Sequence, residues 1–324
     1  MPVRKSIISL SIKSIDDVTR CINLASLLEL SGWPKPGNVH RTQDFKDTKF
    51  EHFLAGITAI QPSFKSLCEK TYQSSYEKDK DYESIELGLF YINATKEMIK
   101  WQSGGNVLLG HILILSPLAA AAVICLKKGM LKFNDFKYHL LKIIEESTVE
   151  DTLNLYEAIR VCNPGGLGKA EKYDVTNKNS NSEIQMDKIN LKKIFEFSKE
   201  YDLISSEYST GFNIILTEGL PYFFEKIYQF NNPNNAIVDT YLKILSIHPD
   251  SLIIRKSGMD AAIRVSEKAK TILENGGIST KEGLELTIKL DNKLQRKDGN
   301  LNPGTTADLL AGTIFCALIF GFKL

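Results

Sequence analysis

The 324-residue chain has no charge bias: 40 lysines and arginines stand against 39 acids, a formal net charge of +1. Such a balance leaves no global field to gather nucleic acid or an anionic membrane, so any phosphate must be held by a local cluster. The chain also lacks paired cysteines. Cys21, Cys68, Cys125, Cys162 and Cys316 form no CxxC, and most sit in apolar stretches. That distribution argues against a disulfide framework or cysteine-zinc site and fits free thiols in a reducing, cytoplasmic setting. Period-2 alternation is almost missing, Ser251–Ile254 apart, which removes the sheet classes. No solenoid period is found. The opening MPVRKSIISL has neither a long apolar run nor a small-residue cleavage site, so no signal peptide is expected.

What is present is helical spacing. Ile15, Val18, Ile22 and Ala25 lie on one helical face behind a capping box at Ser14 and Asp17, and Ala262, Val265, Ala269 and Ile272 repeat the pattern. Further helices are expected near 47–61, 82–100, 105–127, 134–146, 149–161, 188–200, 203–229, 235–247, 281–296 and 306–321. Val107–Leu126 is long and apolar enough to cross a membrane, with Lys100, Lys127 and Lys128 at its flanks. It contains Gly110, His111, Ser116 and Pro117, and nothing else would span beside it, so it reads as a core helix buried all round. The expectation is an all-α fold of about ten to twelve helices around that central helix. Asn177–Ser182 (NKNSNS) reads as a mobile surface loop or a link between two helical halves. Polar motifs on both sides of it argue for a single domain over 1–324.

Four of those motifs carry candidate chemistry. In Lys35–Arg41 (KPGNVHR), prolines and Gly37 enforce a turn, and Lys35, His40 and Arg41 can meet phosphate oxygens; an ordinary solvated loop is the competing account. Downstream, Asp44, Asp47 and Glu51 share one face if a helix has already begun, which suits magnesium or simply a helix dipole. Ser103–Asn106 leads into the apolar helix with glycines that expose backbone N–H groups, and His111 follows, more often a core histidine than a catalyst. Asn163–Lys169 (NPGGLGK), followed by Asp174, is no P-loop: it has Asn163 and Ala170 where glycine and a hydroxyl residue are required. Three glycines in four residues exceed the needs of a helix C-cap and suit close approach to a ligand. Asn302–Asp308 (NPGTTAD) opens the last helix, with Thr305 and Asp308 spaced as a capping box. Asp291 falls on an apolar stripe, where an acid needs a metal or a cation.

Taken together the motifs resemble the triphosphoribosyl-dephospho-CoA synthase family. The resemblance runs in order through PKPGNVHR with Asp47, Gly104–Gly110, NPGGLG with Asp174, Arg255-Lys256-x-Gly258, and NPGTTADLLAG. It implies an all-helical transferase that joins ATP to dephospho-CoA, or a related acceptor, through a ribose–ribose bond with release of adenine. On that footing Lys35, Gly37, His40, Arg41, Asn106, Gly165, Gly166, Gly168, Arg255, Lys256, Thr305 and Thr306 are assigned to the nucleotide and its phosphates. Asp47, Asp174 and Asp308 are assigned to catalysis and Mg²⁺, with Asp151 and Asp291 as further metal candidates; Asp151 also makes a capping box with Thr148. A homodimer is compatible with the apolar helices. Two departures stand out: Leu108-Leu109 replace the family's His-Lys, and Asn38-Val39-His40 replace Leu-Val-Asp. They keep open a helical Mg²⁺-dependent nucleotide hydrolase or phosphotransferase, and a non-catalytic nucleotide-binding protein.

Overall fold

The computed structural model describes residues 9–76, 81–296 and 299–324. Its framework is set by two helices that are apolar on every side. The α4 helix (Leu109–Lys128) is 89% buried over its most apolar window, and α15 (Gly304–Ile319) crosses it at close range. Gly312 makes this possible, because a Cβ there would lie 2.7 Å from Ile114 Cγ2 and 2.6 Å from Ile215 Cδ1. With its length consumed by protein contacts, α4 is a core helix, as its interruptions had implied.

Around this pair pack α1 (Ile15–Ser31), α2 (Phe50–Gln73), α3 (Leu87–Lys100) and α5 (Phe133–Glu145), and α6 (Val149–Cys162) lies against α3. Short α7 (Ser180–Met186), α8 (Leu191–Glu196) and α9 (Leu203–Thr210) follow, then α10 (Leu220–Phe230), α11 (Pro233–Ile247), α12 (Ser251–Ser257), α13 (Met259–Glu274) and α14 (Lys281–Gln295). Among the described residues no strand forms; isolated bridges link Ser9 to Lys132 and His40 to Gln43. The all-α expectation holds, with fifteen α-helices among the described residues rather than ten to twelve.

The differences have local causes. The helix expected over 203–229 is split because Gly211 and Phe212 take positive φ, 73° and 61°, before a π-helical turn at Ile214–Gly219 and Pro221 restart it. Ser251–Ile254 is helical because Asp250 caps it, accepting from the N–H groups of Leu252 and Ile253. The mobile loop expected at 177–182 is instead the entry to α7. Arg160 holds it, donating to Val175 O, Asn177 O, Asn181 Oδ1 and Ser180 Oγ at 2.9–3.3 Å.

Candidate active site

A cavity of about 1200 Å³ opens between the start of α4, the end of α6, the glycine loop after it, the α8–α9 turn, α12 and the start of α15. Its wall draws on residues from both sides of 177–182. Sequence-selected Asp47, Asn106, Gly165, Gly166, Gly168, Asp174, Arg255, Lys256, Thr305 and Asp308 all line it, as do His111, Lys169 and Lys172.

At its inner wall lies a buried chain of charges. His111 Nδ1 is 2.7 Å from Asp308 Oδ1, and its Nε2 is 3.4 Å from Glu29 Oε2. Glu29 in turn is ion-paired with Lys35, whose Nζ also donates to Glu29 O at 2.8 Å. Burial works against a proton on His111, yet the hydrogen bonds and charges of Asp308 and Glu29 carry its pKa up to about 9. The ring is therefore an imidazolium at neutral pH. Burial also opposes charge on Glu29, but Lys35 and His111 outweigh it and hold the carboxylate below its ordinary value. Asp308 goes the other way: desolvation raises its proton affinity despite His111. A carboxylate so tuned is a better base than one in water.

Gly110 is what lets Asp308 stand there. A Cβ at 110 would lie 1.9 Å from Asp308 Oδ2, so the carboxylate occupies the volume of a missing methyl group. The capping box expected of Thr305 and Asp308 does not form, because α15 begins at Gly304 with Pro303 before it. Thr305 accepts from Ser251 Oγ at 3.0 Å. Thr306 is buried away from the cavity and donates both its N–H and its hydroxyl to Asp250 Oδ2.

Toward the outside, Arg255 is fixed by Asp202, 2.8 Å away, and Lys256 donates to Gly299 O at 3.1 Å. The NPGGLG loop packs on Arg255: Gly166, at φ 80°, would put a Cβ 3.1 Å from Arg255 O. Gly165 and Gly168 would meet nothing within 4 Å, so neither packing nor a strained turn explains them. Asp174 closes the loop, accepting from the Thr176 hydroxyl at 2.7 Å and the Thr176 N–H at 2.8 Å. These bonds hold it below the ordinary carboxylate value. Asn106 lines the wall and accepts from Leu109 N–H at 3.1 Å. Cys162 also faces the cavity, but burial pushes its thiol up to about 12, which rules out a thiolate nucleophile at neutral pH.

Other assigned residues lie elsewhere. Lys35 is fully buried on Glu29. His40 pairs with Asp291, Nε2 to Oδ2 at 3.0 Å, and Asp291 Oδ1 accepts from Gly37 N–H at 2.9 Å. The odd acid on the α14 stripe thus has its partners in the His40 ring and the Gly37 N–H, and Gly37 serves a tight turn against Leu294. Arg41 is exposed and donates to Asn234. From the KPGNVHR segment, Asn38 is the residue that reaches the cavity wall. Asp151 completes its capping box with Thr148 and accepts from Gly88 N–H, away from the cavity. Because α2 starts at Phe50, Asp44, Asp47 and Glu51 do not share a helical face; Asp44 accepts from Phe50 N–H and Asp47 is exposed at the rim. Among the described residues no three His, Cys, Asp or Glu side chains gather as a metal site, so Asp47, Asp174 and Asp308 form no preformed cage.

Glu29 is the site residue the motifs missed. Its signal was present: it continues the Ile15–Val18–Ile22–Ala25 face, where a carboxylate has no structural business without partners. The two leucines standing for His-Lys are apolar wall, Leu109 against the cavity and Leu108 against Gly56.

The profile of the family described as CitG, ATP:dephospho-CoA triphosphoribosyl transferase, matches residues 15–323. A Salmonella typhimurium protein assigned as a 2-(5''-triphosphoribosyl)-3'-dephosphocoenzyme-A synthase is 30% identical over 109 residues, 34% of this chain and 35% of that one. A Citrobacter koseri protein of the same assignment is 30% identical over 113 residues, 35% and 37% of the two chains. The aligned segment thus spans about a third of these relatives' length. A crystal structure of an Archaeoglobus fulgidus protein described as a triphosphoribosyl-dephospho-CoA synthase superposes with a TM-score of 0.61 at 28% identity. That match covers 83% of this chain and 100% of the other. The chain belongs to the ATP:dephospho-CoA triphosphoribosyl transferase family.

Proposed function

We propose that the protein transfers the triphosphoribosyl group of ATP to a hydroxyl of dephospho-CoA or a close relative, releasing adenine. The observation that carries this is the Glu29–His111–Asp308 chain opening into a cavity large enough for two nucleotides. In the reaction the acceptor oxygen bonds to the ribose C1' of ATP as the C1'–N9 bond breaks. Asp308 takes the hydroxyl proton, the departing adenine takes one from water, and Asp308 then returns its own to solvent, so the protons balance. His111 holds Asp308 in place as an imidazolium, and the paired carboxylates face the cationic sugar as it develops. Arg255, Lys256, Lys169 and Lys172 meet the phosphates.

Magnesium fits this reading as an ion carried on the triphosphate rather than one held by the protein. Such an ion keeps several waters and takes one or two carboxylates. Asp47 and Asp174 at the cavity wall are the residues that would reach it. The free thiols, four of them buried and Cys21 half-buried, suit a reducing, cytoplasmic location.

The test is chromatography of ATP incubated with Mg²⁺ and dephospho-CoA. Adenine and a new nucleotide should appear together in the wild type, and D308N should lower the rate by about 10²–10⁴-fold. Adenine without acceptor consumption would favour the hydrolase reading, and no turnover with ATP still bound would favour a binding protein. The apolar wall at Leu109 motivates a second arm with other CoA-type acceptors; faster turnover of one of them would move the assignment of the acceptor.

A further inference from the structure

Large aromatic side chains are seldom left wet inside a concave site without a ligand to cover them. In the turn joining α8 to α9, Phe197 is 59% exposed and Tyr201 53%, and both line the cavity. Beneath Phe197 lies Tyr173, ring centroids 5.1 Å apart and tilted by 45°. We propose that Phe197 and Tyr201, backed by Tyr173, form a stacking platform for the adenine ring of one of the two nucleotides. The proposal rests on the nucleotide reading above and goes beyond it by assigning a base subsite.

Three features set this apart from a surface patch. First, Tyr173 is held firmly: its N–H donates to Glu183 at 2.8 Å and its hydroxyl to Asp187 at 2.6 Å, while its carbonyl accepts from Tyr156 at 2.5 Å. These bonds fix a bulky residue at φ 52°, a left-handed conformation that side chains of this kind rarely adopt and that clusters at ligand sites. Second, the turn is anchored on both sides. Phe195 packs on Tyr208 with centroids 4.1 Å apart, and Asp202, next to Tyr201, caps α9 through Ser205 N–H.

Third, that same Asp202 holds Arg255, whose charge is felt at Asp308. A base on the platform therefore has a cation for its phosphate and the reacting carboxylate within the same cavity. Stacking suits this position because every purine presents a flat face, whatever becomes of its sugar.

The test is calorimetric titration of F197A, Y201A and F197W with ATP, with dephospho-CoA and with inorganic tripolyphosphate, which has no base. Both native side chains are exposed, so thermal melts should match the wild type. Each alanine variant should weaken one nucleotide by about 5- to 150-fold, the range of a lost base–aromatic stack. Tripolyphosphate binding should be unchanged, and F197W should restore affinity. Loss confined to ATP would place the departing adenine on the platform; loss confined to dephospho-CoA would place the acceptor's. Both nucleotides binding within about twofold of wild type would overturn the proposal, as would an equal loss of tripolyphosphate. A wild type that binds neither nucleotide would overturn it together with the transferase reading. A wild type that binds ATP through Phe197 yet releases no adenine would sink the transferase reading and leave the platform standing.

Discussion

The charge on His111 should make this protein's stability fall with alkaline pH in a way that one substitution removes. In the folded chain the ring holds its proton to about pH 9, against 6.5 for the free side chain. A gap of that size corresponds to about 3 kcal/mol favouring the folded state. The folded value is the higher one, so this contribution is complete below pH 6.5, shrinks across the interval to 9 and is absent above it. Asp250 and Glu207, raised by burial to about 6 and about 8, also disfavour the folded state as pH rises. A wild-type curve alone therefore does not isolate the histidine. The perturbation is H111Q, read as the difference between variant and wild-type unfolding free energies. Urea titrations followed by tryptophan fluorescence, from about pH 6 to about pH 10, supply it. The cost of the substitution should be about 3 kcal/mol greater at the acid end than at the alkaline end. Parallel curves would refute the claim that Glu29 and Asp308 keep this ring charged.

Other outcomes follow from named contacts. G110A should nearly abolish adenine release, because its methyl group would lie 1.9 Å from Asp308 Oδ2 and displace the carboxylate; activity and an unfolding curve check both consequences. G168A should melt like the wild type, having nothing within 4 Å of its new Cβ, yet raise KM for the nucleotide that runs past it. An unchanged KM would make that glycine incidental. R160A removes four hydrogen bonds to 175–181 and should expose that segment to limited proteolysis, read by mass spectrometry, while the rest of the chain resists.

The helices were legible where one residue type decides the matter. Apolar spacing marked α1 and α13, and a long apolar run marked α4 as central, while α15 was expected as a helix without its place beside α4. Boundaries were less so: the break at Gly211–Phe212 depends on backbone conformation that neither residue announces in isolation. At the site, the motifs located most of the cavity wall but misjudged the KPGNVHR cluster. Lys35 and His40 can each meet an anion, and from sequence a buried carboxylate partner looks the same as a phosphate. Their partners, Glu29 and Asp291, lie on helical stripes. Glu29 sits only six residues before Lys35, whereas Asp291 is 251 residues beyond His40. At Asp308, which the resemblance assigned to the site, it is the competing capping box that fails, because the Thr305 spacing was right and the start of the helix was not.

The fit of Asp308 into the hollow at Gly110 has an evolutionary consequence. The two positions are 198 residues apart and share one volume, so neither can drift alone: any side chain at 110 evicts the carboxylate. Replacing Asp308 would leave a void under the imidazolium. A lineage that abandons this chemistry could fill position 110 freely only after position 308 has changed. Gly110 is therefore the wall residue whose identity should report most directly whether a relative still carries the carboxylate.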